Sequence, residues 1–184
     1  MPSFARKVAT ALVLSAAIAY VYPLSAADSA APAAAPGDAA AAAPQPLSMD
    51  ELKKPMKPLD RVASAPKGTL KNPYTDNPEA IEQGKKIYFG KSCNGCHGGG
   101  GGGGMCPPLT NTVWVYGDDD DTLFRLVTLG SQDLQKAGYH RKGTEGVVGP
   151  MPAFGELIDE DQELWKIIAW IRTLFKGGPE RRHW

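Results

Sequence analysis

Five consecutive residues, Cys93-Asn94-Gly95-Cys96-His97, constrain this chain more than any other stretch. The pattern C-x-x-C-H is typical of covalent haem c attachment, in which two thiols form thioethers with one porphyrin and the adjacent histidine offers a ligand to the iron. A bare C-x-x-C also occurs in thioredoxin-like redox pairs and in zinc sites. The first needs a βαβ context and the second needs another Cys/His pair, and the sequence has neither. We therefore predict one haem c, bound through Cys93 and Cys96, with His97 as an axial ligand.

The first 27 residues have the pattern of a secretory signal peptide. Arg6-Lys7 is followed by an uncharged stretch, residues 8–22, and then by the small residues Ser25-Ala26-Ala27, which offer a cleavage site. An uncleaved membrane anchor is the alternative, but the uncharged stretch is shorter than the roughly 20 residues that span a bilayer. We expect export to the periplasm and no stable membrane insertion after cleavage.

Composition divides the remaining chain into three segments. Residues 28–46 are rich in Ala and Pro, cannot bury a core, and are predicted to form a tether. Residues 47–76 form a basic arm whose prolines exclude a long helix, so we expect it to be extended. Residues 77–184 are predicted to be the haem domain. The balanced charge of the whole chain, 20 Lys+Arg against 20 Asp+Glu, does not favour nucleic acid as a partner.

The arm contains large apolar side chains, which the Ala/Pro tether lacks. Leu52, Met56 and Leu59 are expected to pack on the haem domain, and the alternative is that the arm is a longer linker.

Hydrophobic periodicity and capping residues predict three helices in the haem domain. The predicted helices are Pro78–Lys91, Thr122–Leu129 and Asp159–Phe175. Asn77 should cap the first helix, Asp121 should cap the second and Gly130 should end it, and Gln162 should complete a capping box in the third. With long loops and few strand-like runs, the fold class is predicted to be all-α, with the haem as part of the core.

Two other stretches leave alternatives open, and one cysteine is left over. The glycine run Gly98–Gly104 is either a floppy loop or a bare backbone that lets a partner approach the haem. The acidic run Asp118–Asp121 is either a solvated helix start or a cation site, although an EF-hand pattern is absent. Cys106 has no partner once Cys93 and Cys96 hold haem, so we expect a free thiol.

Taken together, residues 77–175 resemble class I c-type cytochromes. The resemblance is carried by C-x-x-C-H after a helix with Gly84 and Tyr88, by Pro108-Leu109, by Met151-Pro152, and by a closing helix rich in Trp and Ile. It implies three to five helices around one covalent haem, with the first and last helices crossing near Gly84. It also implies that the Pro108 carbonyl accepts the Nδ1 proton of His97, with Pro107 as the alternative acceptor.

Two stretches, Cys93–Asp121 and Val148–Phe154, are similar to the cytochrome c-L group, the periplasmic electron acceptors of pyrroloquinoline-quinone methanol dehydrogenases. The glycine run followed by Met105–Asn111 is most similar to the branch that serves lanthanide-dependent enzymes. The resemblance implies a quinoprotein methanol or alcohol dehydrogenase as electron donor and a downstream cytochrome c or oxidase as acceptor.

The iron needs a sixth ligand or an open site, and four residues are candidates. They are Met151, Met105, His140 and Lys142. Met151 is favoured because prolines on both sides hold it in an extended stretch and because it stands at the family's position. A thioether ligand favours ferrous iron and raises the reduction potential, and a saturated iron leaves no site for a substrate.

An electron carrier, and not an enzyme, is therefore the favoured function. A haem enzyme or gas-binding cytochrome with an open distal site is one alternative. A fixed cytochrome subunit of a larger dehydrogenase complex, linked through the tether, is another.

Overall fold

The computed structural model describes residues 45–146 and 149–184. Within these ranges the chain forms six α-helices, one 3₁₀ turn and no strand, so the predicted all-α fold is confirmed. The helices are α1 Met49–Leu52, α2 Pro58–Ser64, α3 Pro78–Gly90, α4 Cys93–His97, α5 Asp120–Lys136 and α6 Asp161–Arg172, and the 3₁₀ turn is Pro179–Arg181. No helix in these two ranges has the length and apolar character needed to cross a membrane. The predicted signal peptide and the tether up to residue 44 lie outside the described residues.

Helices α3 and α6 form the centre of the fold and cross at Gly84. Asn77 caps α3 as predicted, because its side chain accepts a hydrogen bond from the Ala80 N–H at 3.0 Å. At the crossing, a Cβ on Gly84 would lie 1.9 Å from the carbonyl oxygen of Lys166. The two backbones are therefore in contact, and only glycine fits at this position. The crossing implied by the resemblance is confirmed.

Helix α6 is buried on almost every side. Leu164, Trp165 and Ile168 have no exposed surface, so the broad apolar face predicted for this helix is confirmed. The helix is shorter at both ends than predicted. The predicted capping box is wrong, since the Gln162 side chain donates to the carbonyl of Lys53 in the arm.

Helix α5 starts earlier than predicted. Its N-cap is Asp119, whose carboxylate accepts from the Thr122 N–H at 2.9 Å, and Asp121, the predicted cap, lies inside the helix. Asp121 is instead held 3.0 Å from the buried guanidinium of Arg125, so it is not available as a cap.

The second half of α5 was missed. Gly130 leaves the helical conformation as predicted, with φ 75°, but the helix resumes directly and runs to Lys136. Leu134 in this half is fully buried against Tyr116 and Tyr139. This apolar contact stabilises a segment that reads as a polar loop in the sequence.

The basic arm is not extended throughout, so this part of the prediction is wrong. Helix α1 is closed by a capping box between Ser48 and Glu51, and α2 begins at Pro58, where proline suits the first helical turn. Pro55 follows α1 and Pro66 follows α2, and a helix does not readily continue through a proline, so both helices are short. Leu52 is fully buried in the main core, so its expected packing on the haem domain is confirmed.

A buried ion pair joins the arm to α6. Arg61 Nε lies 2.7 Å from Asp161 Oδ2, and the side chains are 5% and 0% exposed. The same guanidinium donates to the carbonyls of Glu51 and Lys54 at 3.1 and 2.8 Å. Asp161 also accepts from the Met56 N–H at 3.2 Å. The arm is thus bound to the first residue of the central helix.

Candidate functional site

Helix α4 presents the C-x-x-C-H residues directly after α3. The chain changes direction at Ser92, which has φ 61°, and one short helical turn follows. Cys93 and His97 are four residues apart, so they share a helix face, and both line one large cavity. Cys96 is half-buried, and its carbonyl accepts from the Cys106 N–H at 3.3 Å.

The imidazole of His97 is oriented by the carbonyl of Pro107. Nδ1 lies 2.9 Å from this oxygen, which can only accept, so Nδ1 carries the proton and Nε2 keeps the lone pair that a metal ligand needs. The acceptor predicted first, Pro108, is therefore wrong, and the alternative is the observed partner. Pro107 is the acceptor because the Cys106 N–H donates to the Cys96 carbonyl, and this bond places Pro107, the next residue, beside the imidazole.

The glycine run Gly98–Gly104 is a folded turn that packs against the haem-binding motif. Gly98, Gly101 and Gly103 have positive φ angles, which side chains rarely adopt. The Gly103 N–H donates to the His97 carbonyl at 2.9 Å, and the Gly101 carbonyl accepts from the Leu109 N–H at 2.7 Å. Of the two alternatives for this run, the floppy loop is not what the structure shows.

Tyr88 on α3 ties the glycine run to the core. Its hydroxyl donates to the Gly98 carbonyl at 2.7 Å, and its ring packs against Trp170 with the centroids 4.4 Å apart. Burial raises the pKa of Tyr88 to about 12, with a smaller effect from Cys93 nearby. The phenol is therefore a neutral hydrogen-bond donor in the wall of the cavity.

The cavity has a volume of about 980 Å³, including space open to solvent. Its wall is almost entirely apolar and draws on α3, α4, α5 and α6. The charged side chains that reach it among the described residues are Arg141 and Glu145, both from the loop after α5. A largely apolar chamber beside the C-x-x-C-H residues suits a flat apolar macrocycle.

Only one of the four candidate sixth ligands lines this cavity. Met151 does, and it packs against the main core. Met105 is 65% exposed, and His140 is exposed as well. Lys142 is exposed and lies 3.2 Å from Asp119. The cavity thus brings together the imidazole of His97 and the thioether of Met151.

The acidic run Asp118–Asp121 matches neither alternative. Three of its four side chains are buried, so it is not a solvated helix start. The partners are His183 for Asp118, the α5 N-terminus for Asp119, Arg172 for Asp120, and Arg125 for Asp121. No cluster of His, Cys, Asp or Glu suited to a metal ion occurs in residues 45–146 and 149–184. The aspartates therefore connect α5 to the tail and to α6.

Several residues of the site were missed in the sequence. Trp114 and Tyr116 line the cavity, as do Arg141 and Ser131. Ser131 and Arg141 lie in a stretch that reads as polar and glycine-rich, and no local pattern points to either. The aromatic pair follows the proline turn and carried no recognisable spacing.

Comparison with known families matches the cytochrome c model over residues 81–175, just over half of the chain. The chain therefore belongs to the cytochrome c family. It carries covalently bound haem c and is an electron-transfer protein. No curated protein matches the chain.

Two solved structures are similar to this chain. One is cytochrome cL from Hyphomicrobium denitrificans, with 28% identity, a TM-score of 0.45, and a match covering 60% of this chain and 56% of that one. The other is cytochrome cL from the marine methylotroph Methylophaga aminisulfidivorans MPT, with 21% identity, a TM-score of 0.49, and coverage of 70% and 75%. The matched region is thus little more than half of the Hyphomicrobium chain.

Proposed function

We propose that this protein is a periplasmic one-electron carrier. It accepts electrons from a pyrroloquinoline-quinone methanol or alcohol dehydrogenase of the lanthanide type and passes them to a downstream cytochrome c or oxidase. The observation that carries the proposal is that Met151 alone, among the four candidate sixth ligands, lines the cavity that His97 also lines. Bound haem supplies an iron centre that cycles between two oxidation states one electron apart.

Each residue of the site has a separate role in this proposal. Cys93 and Cys96 form the thioethers, and His97 binds the iron through Nε2 while the Pro107 carbonyl holds its Nδ1 proton. Met151 provides the sixth ligand, which raises the reduction potential relative to a site without a thioether. Arg141, the cationic side chain that reaches the cavity within the described ranges, pairs with a haem propionate.

An iron with two protein ligands has no open position for a substrate, so the protein carries electrons and does not catalyse a reaction on its own. A peroxidase-type site would need a distal acid–base group in the cavity. His140, the candidate for that role, is exposed and does not line the cavity. These two features favour the carrier over the haem enzyme.

The ligand assignment predicts the effect of Met151→Ala. Removing the thioether should open the iron, lower the reduction potential and let carbon monoxide bind the reduced protein. Met105→Ala is the matched control, since that side chain is 65% exposed. An unchanged near-infrared spectrum in Met151→Ala would refute the assignment, and carbon monoxide binding by the unaltered protein would favour the gas-binding alternative.

The partner assignment is supported by the stretches Gly98–Gly104 and Met105–Asn111, which resemble cytochromes c-L of the lanthanide branch. A donor that must leave after each electron needs a small contact, below about 1,200 Å². Stopped-flow reduction of the haem by the substrate-reduced dehydrogenase tests the pair, with an unrelated cytochrome c as control. The reaction should slow as added salt screens charges over a Debye length of roughly 8–10 Å. Equal reduction rates for both cytochromes would refute the methanol dehydrogenase as partner, and only the general proposal of an electron carrier would remain.

Export is tested by the mature N-terminus. Mass spectrometry of protein from the periplasmic fraction should find a chain that begins at Asp28. A chain that retains residues 1–27 and sediments with membranes would contradict this part of the proposal and favour a fixed subunit.

A further inference from the structure

The break in α5 at Gly130 makes room for the segment that carries Met151. Gly130 has φ 75° and ψ 166° inside the helix. A Cβ at this position would lie 2.8 Å from both the Met151 carbonyl oxygen and the Ala153 amide nitrogen. Any side chain here would push the segment away from α5, so glycine is required both for the backbone angle and for the close approach.

The next residue, Ser131, holds both backbone polar groups of Met151. The Ser131 N–H donates to the Met151 carbonyl at 3.0 Å, and the Ser131 hydroxyl oxygen accepts from the Met151 N–H, also at 3.0 Å. Pro150 and Pro152 have no N–H, so Met151 has the single backbone donor of this Pro-Met-Pro stretch. Ser131 is 6% exposed and lines the same cavity as Met151.

The pairing continues beyond Met151 along α5. The Phe154 N–H donates to the Val127 carbonyl at 2.9 Å, and the Gly155 N–H donates to the Thr128 carbonyl at 3.0 Å. These two bonds involve backbone atoms alone. Ser131 is therefore the residue whose side chain, and not only its backbone, fixes the segment beside the cavity.

We propose that Ser131 is the positioning residue for the sixth ligand, acting on the Met151 backbone from both sides so that the thioether stays directed at the iron. This inference rests on the proposed function, because it takes Met151 as the ligand. Loss of the hydroxyl leaves the partly buried Met151 N–H without its acceptor on α5. The segment then releases the thioether more readily, although the methionine itself is unchanged.

The test is a titration of the ferric holoprotein with imidazole, which competes with the thioether for the iron. Apparent imidazole affinity reports how often the iron is free of Met151. Ser131→Ala should bind imidazole about tenfold more tightly than the unaltered protein, the effect expected for the loss of one hydrogen bond. It should also lose the near-infrared methionine-to-iron band at a lower temperature and have a lower reduction potential.

Thr128→Ala is the matched control. Thr128 is a fully buried hydroxyl on the same helix, but its side chain bonds the Phe124 carbonyl at 2.8 Å and not the Met151 segment. Its substitution should reduce the stability of the fold and change imidazole affinity by less than about twofold. An equal shift in both variants, or no shift in Ser131→Ala, would overturn the proposal.

Two further measurements cover the cases in which the ligand assignment is wrong or the Ser131→Ala variant does not fold. If Met151→Ala keeps the near-infrared band, the proposed ligand is wrong and the positioning role falls with it. If Ser131→Ala does not fold, amide hydrogen exchange of the unaltered holoprotein tests the hydrogen bond between Ser131 and Met151 instead. The Met151 amide should then exchange much more slowly than the exposed Gly149 amide, and equal rates would refute the hydrogen bond to Ser131.

Discussion

The ion pair between Arg61 and Asp161 allows a test of whether the arm is part of the folded haem domain. Arg61→Met would leave the Asp161 carboxylate, which has no exposed surface, with the Met56 N–H as its remaining partner. It would also remove the donor for two carbonyls of the arm, those of Glu51 and Lys54. Breaking a buried pair from one side typically costs about 3–5 kcal/mol, because a charge is left buried and unpaired. We expect a loss of this size in the free energy of unfolding.

Urea unfolding of the holoprotein, followed by tryptophan fluorescence and haem absorbance, measures this loss as a lower midpoint at unchanged slope. Adding Asp161→Asn removes the unpaired charge, so the double variant should regain about 1–2 kcal/mol. Lys136→Met is the control, because its pair with Asp133 is 78% and 59% exposed and should matter by less than about 0.5 kcal/mol. A loss below about 1 kcal/mol for Arg61→Met would refute the view that this pair fixes the arm.

Three further predictions concern the helix crossing, the free thiol and the arm. Gly84→Ala should lower the free energy of unfolding by more than about 2 kcal/mol, although alanine favours a helix, because the new Cβ meets the Lys166 carbonyl. Gly90→Ala is the control and should be tolerated, since its Cβ would have nothing within 4 Å. Equal stability of the two variants would refute the close crossing. Burial raises the pKa of the Cys106 thiol, so at pH 8 alkylation should be slower in the native than in the unfolded holoprotein. Equal rates would contradict this. Limited proteolysis should cut before residue 47 and spare residues 47–74, and rapid cleavage throughout that range would mean that the arm is only a linker.

The sequence predicts those features that depend on neighbouring residues. Helix α3 is the clearest case, because Asn77 and Pro78 are a local start signal, and the observed cap bond is the one that this signal describes. Gly84 could be assigned to a helix crossing because the resemblance supplied the partner helix. The roles proposed for the thiols and the imidazole of the C-x-x-C-H motif also come from the sequence alone, since that chemistry needs only five consecutive residues.

The features that were missed depend on residues distant in the sequence. The arm has no helix signal strong enough to outweigh its prolines, yet Arg61 finds Asp161 one hundred residues away. The start of α5 could not be chosen among four aspartates until their partners in other elements were known. The helix after Gly130 forms because Leu134 reaches an apolar cluster, and its polar sequence gives no indication of that contact.

The glycine run shows why composition alone is a poor guide to order. Seven consecutive glycines lose more conformational entropy on folding than any other run of this length. Here that loss is offset by contacts that no other residue permits, since a Cβ at Gly103 would lie 2.9 Å from Pro108 and one at Gly104 would lie 2.9 Å from the Cys96 carbonyl. Both contacts belong to the turn that brings the Pro107 carbonyl to His97. The run therefore helps to orient the imidazole of His97, the proposed axial ligand, and this role requires glycine at particular positions and not merely a flexible loop.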